Sequence, residues 1–262
     1  MPEGKGEVLV LLHGFPTSSW DWHKIWDTLQ IYQVITLDFI GFGFSDKPKD
    51  YVYSIMDQAD LVEQLIAHLH VPQYHLLVHD IGDTVAQELL ARQMERKEAV
   101  IRSCCFLNGG LFPETHRATR TQKLLLSKIG FLAARLYSYK RFVSSFSILF
   151  TVQTKPSEDE MRSLYTLIIH NEGDKISHLL IRYIIERKQN RERWVAALQK
   201  ASCPLRLIDG VDDPVSGAHM VARYKELIPK ADVEEISGCG HYPQLEAPEK
   251  VIESYLEFRK KI

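Results

Sequence analysis

The 262-residue chain has little that would anchor, staple or strongly charge it. No apolar run approaches the 18 or more residues of a membrane span, and residues 1–6 (MPEGKG) lack the basic start and apolar stretch of a secretory leader. Cysteine is scarce: Cys104 and Cys105 fall together on an expected strand, with Cys203 and Cys239 far along the chain. None has C-x-x-C spacing, which argues against a zinc site or a disulfide framework and for buried, reduced thiols in a cytoplasmic protein. A formal charge of -2 gives no overall attraction to nucleic acid or to an anionic membrane. The glycines of DFIGFGFSDKP (38–48) do not form G-x-G-x-x-G, and no P-loop lysine and hydroxyl follow, so a structural loop is expected there. Repeats, low-complexity tracts and metal or cofactor signatures are also missing, and a cofactor-independent protein is expected.

What is present is enough apolar residue, 45% of the chain, to bury the core of one domain carrying an insertion. Strand-like runs at Glu7–Leu12, Gln33–Leu37, Tyr74–His79 and Val100–Leu107 alternate with helical stretches such as Ile55–His70. Strand, helix, strand, helix in this order predicts an α/β fold with a mostly parallel sheet of about six strands, ligands lying at the strands' carboxyl ends. From Leu111 the alternation stops. Amphipathic stretches at Thr121–Phe142, Glu158–His170 and Lys175–Lys188 read as an inserted helical cap, residues 111–198, within a core made of residues 1–110 and 199–262. The pattern returns with strands at Pro204–Ile208 and Asp232–Ile236 and closes on a helix over Pro248–Arg259.

The chain is organised around HLLVHDIGDTVAQELLAR (75–92), where Asp80 falls at the corner between a strand and a helix. That is the position of a nucleophile elbow, with aspartate where other such turns carry serine. Val78 stands where a small residue would ease the turn, and only Gly82 keeps the small-residue pattern; taken alone, an aspartate here is more often a helix cap or loop residue than a nucleophile. The first strand runs into HGFP (13–16), so the backbone N–H of Phe15, with that of Ile81 after Asp80, is a candidate oxyanion donor. A plain loop with Thr17, Ser18 and Ser19 capping a helix through Trp20, Trp22 and Trp26 is compatible with that reading. Asp213 and His241 follow the last two strands. Each alone is an ordinary turn or loop residue, but nucleophile, acid and base in this chain order match α/β-hydrolase triads. The basic run Arg117, Arg120, Lys123, Lys128, Arg135, Lys140 and Arg141, with no acid between, suits either an anionic substrate or lipid surface, or simply a solvated helix face.

HGFPTSSWDW, DFIGFGFSDKP, VHDIGD-x-VAQELL, LNGGLFPETHR, RERWVAAL and GHYPQLEAP together resemble the epoxide hydrolases and haloalkane dehalogenases of the α/β-hydrolase superfamily, from about Val8 to the C-terminus. Such hydrolases begin with two further strands. Their absence here implies a sheet shortened to about six strands or a missing segment, and the second would leave the HGFP strand with an unpaired edge.

The resemblance implies an Asp80 nucleophile that displaces at saturated carbon, giving an alkyl-enzyme ester which water activated by His241 would hydrolyse. Asn108 cannot supply the acid that some dehalogenases carry after that strand. Asp213 fits the family's G-x-x-D-P pattern, ahead of Asp212 and Asp209. Ile81 and Phe15 replace the side-chain halide donors of dehalogenases, and the arginines that fluoroacetate dehalogenases place just after the nucleophile are absent. Epoxide hydrolases use cap tyrosines as proton donors, a role that would fall to Tyr183 with Tyr165, and Tyr137 and Tyr139 behind them. The expectation is an epoxide hydrolase with a small apolar substrate and no nucleic-acid partner. Its alternatives are a haloalkane dehalogenase-like enzyme and a non-catalytic binding protein on the same fold.

Overall fold

The computed structural model describes residues 6–262; residues 1–5, most of the stretch with no leader signature, lie outside the described residues. Six strands, β1 (Val8–Leu12), β2 (Gln33–Thr36), β3 (Tyr74–Val78), β4 (Ile101–Phe106), β5 (Leu205–Gly210) and β6 (Val233–Ile236), form one sheet in the order β2-β1-β3-β4-β5-β6. Every pairing is parallel. Successive side chains alternate between two cores, as a sheet covered on both faces requires: Val10, Leu12, Leu76, Val78, Cys104 and Phe106 enter one, and Leu9, Leu11, Leu77, Cys105 and Leu107 the other. All four cysteines are free thiols, three of them buried.

One expectation is overturned. β1 is not an edge strand, because β2 pairs along one side of it and β3 along the other. The chain moves outward from β1 to β2, then crosses back to build the rest of the sheet. The outer edge therefore falls on the four-residue β2.

Helices α1 (Trp26–Leu29), α2 (Ile55–His68) and α3 (Ile81–Arg96) belong to the first half of the sheet. Between β4 and β5 the chain is helical only: α4 (Arg120–Leu126), α5 (Gly130–Arg135), α6 (Tyr139–Phe146), α7 (Glu158–Ile169), α8 (Ser177–Leu180), α9 (Tyr183–Gln189) and α10 (Arg191–Gln199). The helices α11 (Ala218–Leu227), α12 (Pro243–Glu246) and α13 (Pro248–Lys260) complete the fold. Three expected stretches are broken, Lys175–Lys188 among them, which divides into the end of a 3-10 turn, α8 and α9. Thr121–Phe142 divides into three helices: Ser127 is extended and the chain folds so tightly at Gly130 that a Cβ there would lie 2.0 Å from the Leu125 carbonyl oxygen, and Ser138, also extended, caps the start of α6. The Trp20–Trp26 region is a 3-10 turn over Ser19–Trp22, capped by Ser18 Oγ, followed by the short α1. No helix among the described residues is long and apolar enough to cross a membrane.

Candidate active site

The register aligns Leu12 of β1, Val78 of β3 and Phe106 of β4 in one row, so the loops that follow them share one edge of the sheet. The first lies on β1 and the second on β3, the neighbours between which the strand order reverses, where a parallel sheet opens its crevice. At that point Asp80 takes φ +47 and ψ -102, a conformation costly for a residue with a side chain and held here by its surroundings. The turn closes despite Val78, which is wholly buried in the sheet, because Gly82 lets the helix start close: a Cβ on it would lie 2.3 Å from the Leu12 carbonyl oxygen. The Gly82 N–H donates to the carbonyl oxygens of His79 (2.8 Å) and His13 (3.1 Å), and the Asp80 N–H to that of Asn108 (3.2 Å).

The Asp80 carboxylate is 4% exposed and surrounded by donors. Oδ2 accepts from the Phe15 N–H at 3.1 Å and from the Tyr183 hydroxyl at 3.4 Å. Ile81 opens α3, so its N–H is one of the first-turn donors a helix leaves without an intrahelical acceptor. The Phe15 loop is pinned in turn by the Tyr242 hydroxyl, which donates to the Phe15 carbonyl oxygen at 3.0 Å. Oδ1 accepts from Arg187 Nη2 at 3.2 Å. Burial alone would raise the Asp80 pKa, but Arg187 first, then His241 and His79, outweigh it and hold the carboxyl below its ordinary value.

His241 Nδ1 lies 2.7 Å from Asp213 Oδ2. Asp213 also accepts from the backbone N–H groups of Val215 (2.7 Å) and Ser216 (3.0 Å), from Ser216 Oγ (2.7 Å), and from Asn108 Nδ2 (3.2 Å). Burial opposes its charge, yet His241 and these donors lower its pKa to about 2. The reverse holds at His241: burial favours the neutral ring, but Asp213 and Asp80 raise its pKa above the ordinary value. Asp212 instead accepts from the Gly238 N–H, and Asp209 is buried with neither carboxyl oxygen hydrogen-bonded.

The sequence-derived positions thus separate. Asp80, Phe15, Ile81, Tyr183, Asp213 and His241 meet at one sheet edge. Tyr165 does not join them: its ring packs against Phe142 (5.6 Å between centroids) and Tyr137 (5.9 Å), in an aromatic cluster of the inserted helices. The DFIGFGFSDKP loop is structural, its Asp38 carboxylate accepting backbone N–H groups of Ser19 (2.8 Å) and Phe44 (2.7 Å).

Four residues escaped the sequence reading. Arg187 is 1% exposed; its Nε donates to Thr84 Oγ1 at 2.7 Å, and Nη1 has no partner. No arginine follows Asp80 directly in the chain, yet this one reaches its carboxylate from α9, far along the sequence. It stands one helical turn after Tyr183, and that spacing could have placed both on one face. Asn108, dismissed as an acid, orients one. His79 ties the loops together through Nε2, 2.8 Å from the His241 carbonyl oxygen. His116 is half-buried, with both ring nitrogens shielded and unpartnered among the described residues, and desolvation followed by Arg187 lowers its pKa to about 4.

Beside Phe15 and His241 opens a cavity of about 660 Å³, lined mainly by apolar residues of the inserted helices, among them Leu125, Leu132, Phe142 and Phe146. This lies within the range of small-molecule sites.

Comparison with known proteins agrees with this architecture. The chain is 43% identical to the bovine mesoderm-specific transcript homolog protein over 97% of its own length and 79% of that protein's. It is 30% identical to the cis-3-alkyl-4-alkyloxetan-2-one decarboxylase of Shewanella oneidensis, over 95% of this chain and 81% of the relative. Among solved structures, the haloalkane dehalogenase DbeA from Bradyrhizobium elkani superposes with a TM-score of 0.80 at 23% identity, covering 99% of this chain and 94% of that one. The family model described as the alpha/beta hydrolase fold matches residues 7–248, and the chain belongs to that family.

Proposed function

We propose that the chain is a cofactor-independent hydrolase that uses Asp80 as nucleophile and opens an epoxide to a vicinal diol, with the inserted helices, residues 111–198, as its cap. The observation that carries this reading is the environment of Asp80: an ionised carboxylate on a strained elbow, with the Phe15 N–H at 3.1 Å, the Tyr183 hydroxyl at 3.4 Å, and the Asp213–His241 pair beside it. Asp80 Oδ1 attacks a ring carbon, the ring C–O bond breaks, and the alkoxide takes the Tyr183 proton. The Arg187 guanidinium, 4.5 Å from the Tyr183 ring centroid, eases the phenolate charge so formed. Neutral His241 then removes a proton from water as it attacks the ester carbon, and the Phe15 and Ile81 N–H groups bind the oxyanion. On collapse the leaving alkoxide takes the proton held by His241. The second water proton, left on the Asp80 carboxyl, restores the Tyr183 hydroxyl.

The test is the intact mass of His241→Gln after exposure to pooled epoxides. Without the base the ester accumulates. A mass gain equal to the whole epoxide is expected, since ring opening loses no atoms; a folded variant that gains nothing rejects this reading.

Arg187 favours a second reading. The Shewanella relative is named for an oxetan-2-one. On such a four-membered lactone, the same displacement at the oxygen-bearing ring carbon frees a carboxylate, an anion suited to a buried guanidinium with an unpartnered Nη1. A dialkyl oxetan-2-one in the same trapping experiment separates the two.

A further inference from the structure

The inserted helices carry a surface that the chemistry above does not use. Among the described residues, six of the thirteen exposed large apolar side chains lie between Leu124 and Ile148, including Ile129 at 55% and Leu136 at 61% exposure. Arg117, Arg120, Lys123, Lys128, Arg135, Lys140 and Arg141 are all exposed around them, and none forms an ion pair among the described residues. No acidic residue occurs between Glu114 and Glu158. This contrasts with the rest of the chain, where Glu63, Glu88, Glu114 and Glu172 each bind cations. A solvated helix face would account for the charges but leaves the apolar side chains in water.

The cavity beside His241 leads to the same place. Its lining runs from Phe15 and His241, both buried, outward to Leu124, Ile129, Leu132 and Leu136, all of which reach solvent. The mouth of the candidate active site and the apolar, cationic surface are therefore one feature.

We infer that α4 and α5 dock on an anionic lipid surface, with the apolar side chains entering the boundary between headgroups and acyl chains, and that the cavity takes a substrate bearing a long alkyl chain directly from that surface. Apolar residues supply the insertion and the cations bind the headgroups. A second copy of this face is a poor occupant, since an isologous contact would set the same seven cations against themselves. The delivery of substrate rests on the function proposed above; the docking does not.

The test is flotation of the full chain with vesicles of phosphatidylcholine alone and of phosphatidylcholine with phosphatidylserine. The wild type is expected to float with the anionic vesicles and to be released by high salt. Phe131→Glu with Leu132→Glu, at positions 43% and 47% exposed, should abolish flotation. Lys128→Glu with Arg135→Glu should weaken it by roughly 25-fold or more, given about a fivefold loss for each cation removed near an anionic surface. Unchanged thermal midpoints would certify that both variants fold. A wild type that stays in solution with both vesicles, or variants that float as well as it does, would overturn the inference. So would a dimer in sedimentation velocity that is lost in Phe131→Glu with Leu132→Glu while no vesicle is bound, which would assign the face to a second copy. Flotation without turnover of any epoxide would sink the proposed reaction and leave the docking intact.

Discussion

Arg187 Nη2 donates to two atoms of one residue, the carbonyl oxygen of Asp80 at 2.8 Å and its carboxylate Oδ1 at 3.2 Å. The same guanidinium group thus braces a strained turn and offsets the charge of the side chain that the turn presents. Replacing it with methionine removes both effects and leaves a buried carboxylate without its cation, at a cost of about 3–5 kcal/mol. Urea denaturation of Arg187→Met would measure this. Arg187→Lys is expected to recover only part of the loss, because one ammonium cannot reach Thr84 and both Asp80 atoms in the same geometry.

Tyr183→Phe should lower kcat on an epoxide by roughly 10²–10⁴-fold, the usual contribution of a positioned acid. Tyr165→Phe should leave kcat nearly unchanged, because that ring packs in an aromatic cluster away from Asp80. Equal losses in the two variants would refute the assignment of the proton donor.

Asp213 has a folded pKa of about 2, below the ordinary carboxylate value. Its contribution to stability is present above the unfolded pKa and is lost as pH falls through the folded one, so the window runs from about pH 4 to pH 2. The loss should be roughly 2 kcal/mol across that window. Denaturation of wild type and Asp213→Asn over this range should show the difference between them shrinking as the acid end is reached.

His241 is raised, with part of the effect due to the charge of Asp80. An ester on Asp80 takes the charge off the carboxylate and leaves it as phenolate on Tyr183, where the Arg187 guanidinium over the ring offsets it, so the pKa of His241 should be lower in the intermediate than in the free protein. Ester hydrolysis needs the neutral ring and should therefore rise with pH and level off. Single-turnover rates should give an inflection below the value read for His241 by NMR in the free protein.

Asp83 is buried with both carboxyl oxygens unpartnered, and burial and then Asp80 raise its pKa well above the ordinary value. A raised acid destabilises the fold as pH climbs past the unfolded pKa, since only the unfolded chain ionises freely. Asp83→Asn removes that penalty. Its thermal midpoint should exceed that of the wild type at pH 7 and match it more closely near pH 4.

The sheet was readable in the sequence because buried parallel strands are short apolar runs, and chain order fixed which loops follow them. That was enough to bring Asp80, Asp213 and His241 to one edge. Strand order was less readable. Nothing in EVLVLL shows that QVIT will pair outside it, and the edge was accordingly expected on β1. The inserted helices were least readable, because helical spacing defines a face without saying what that face meets. Tyr165 and Tyr183 look alike at that level, yet one packs among aromatic rings and the other reaches a carboxylate. Arg187 stands in ERKQNRER, a stretch that reads as solvated surface; only its burial distinguishes it.

Tyr183 and Arg187 sit one turn apart on the short helix α9, and both end on Asp80. A side chain four residues on in a helix cannot be repositioned independently of the first by any rigid movement of that helix. The hydroxyl and the guanidinium that meet the Asp80 carboxylate are therefore a single mechanical part. A rigid displacement of α9 would take the Tyr183 hydroxyl and the Arg187 guanidinium from Asp80 together.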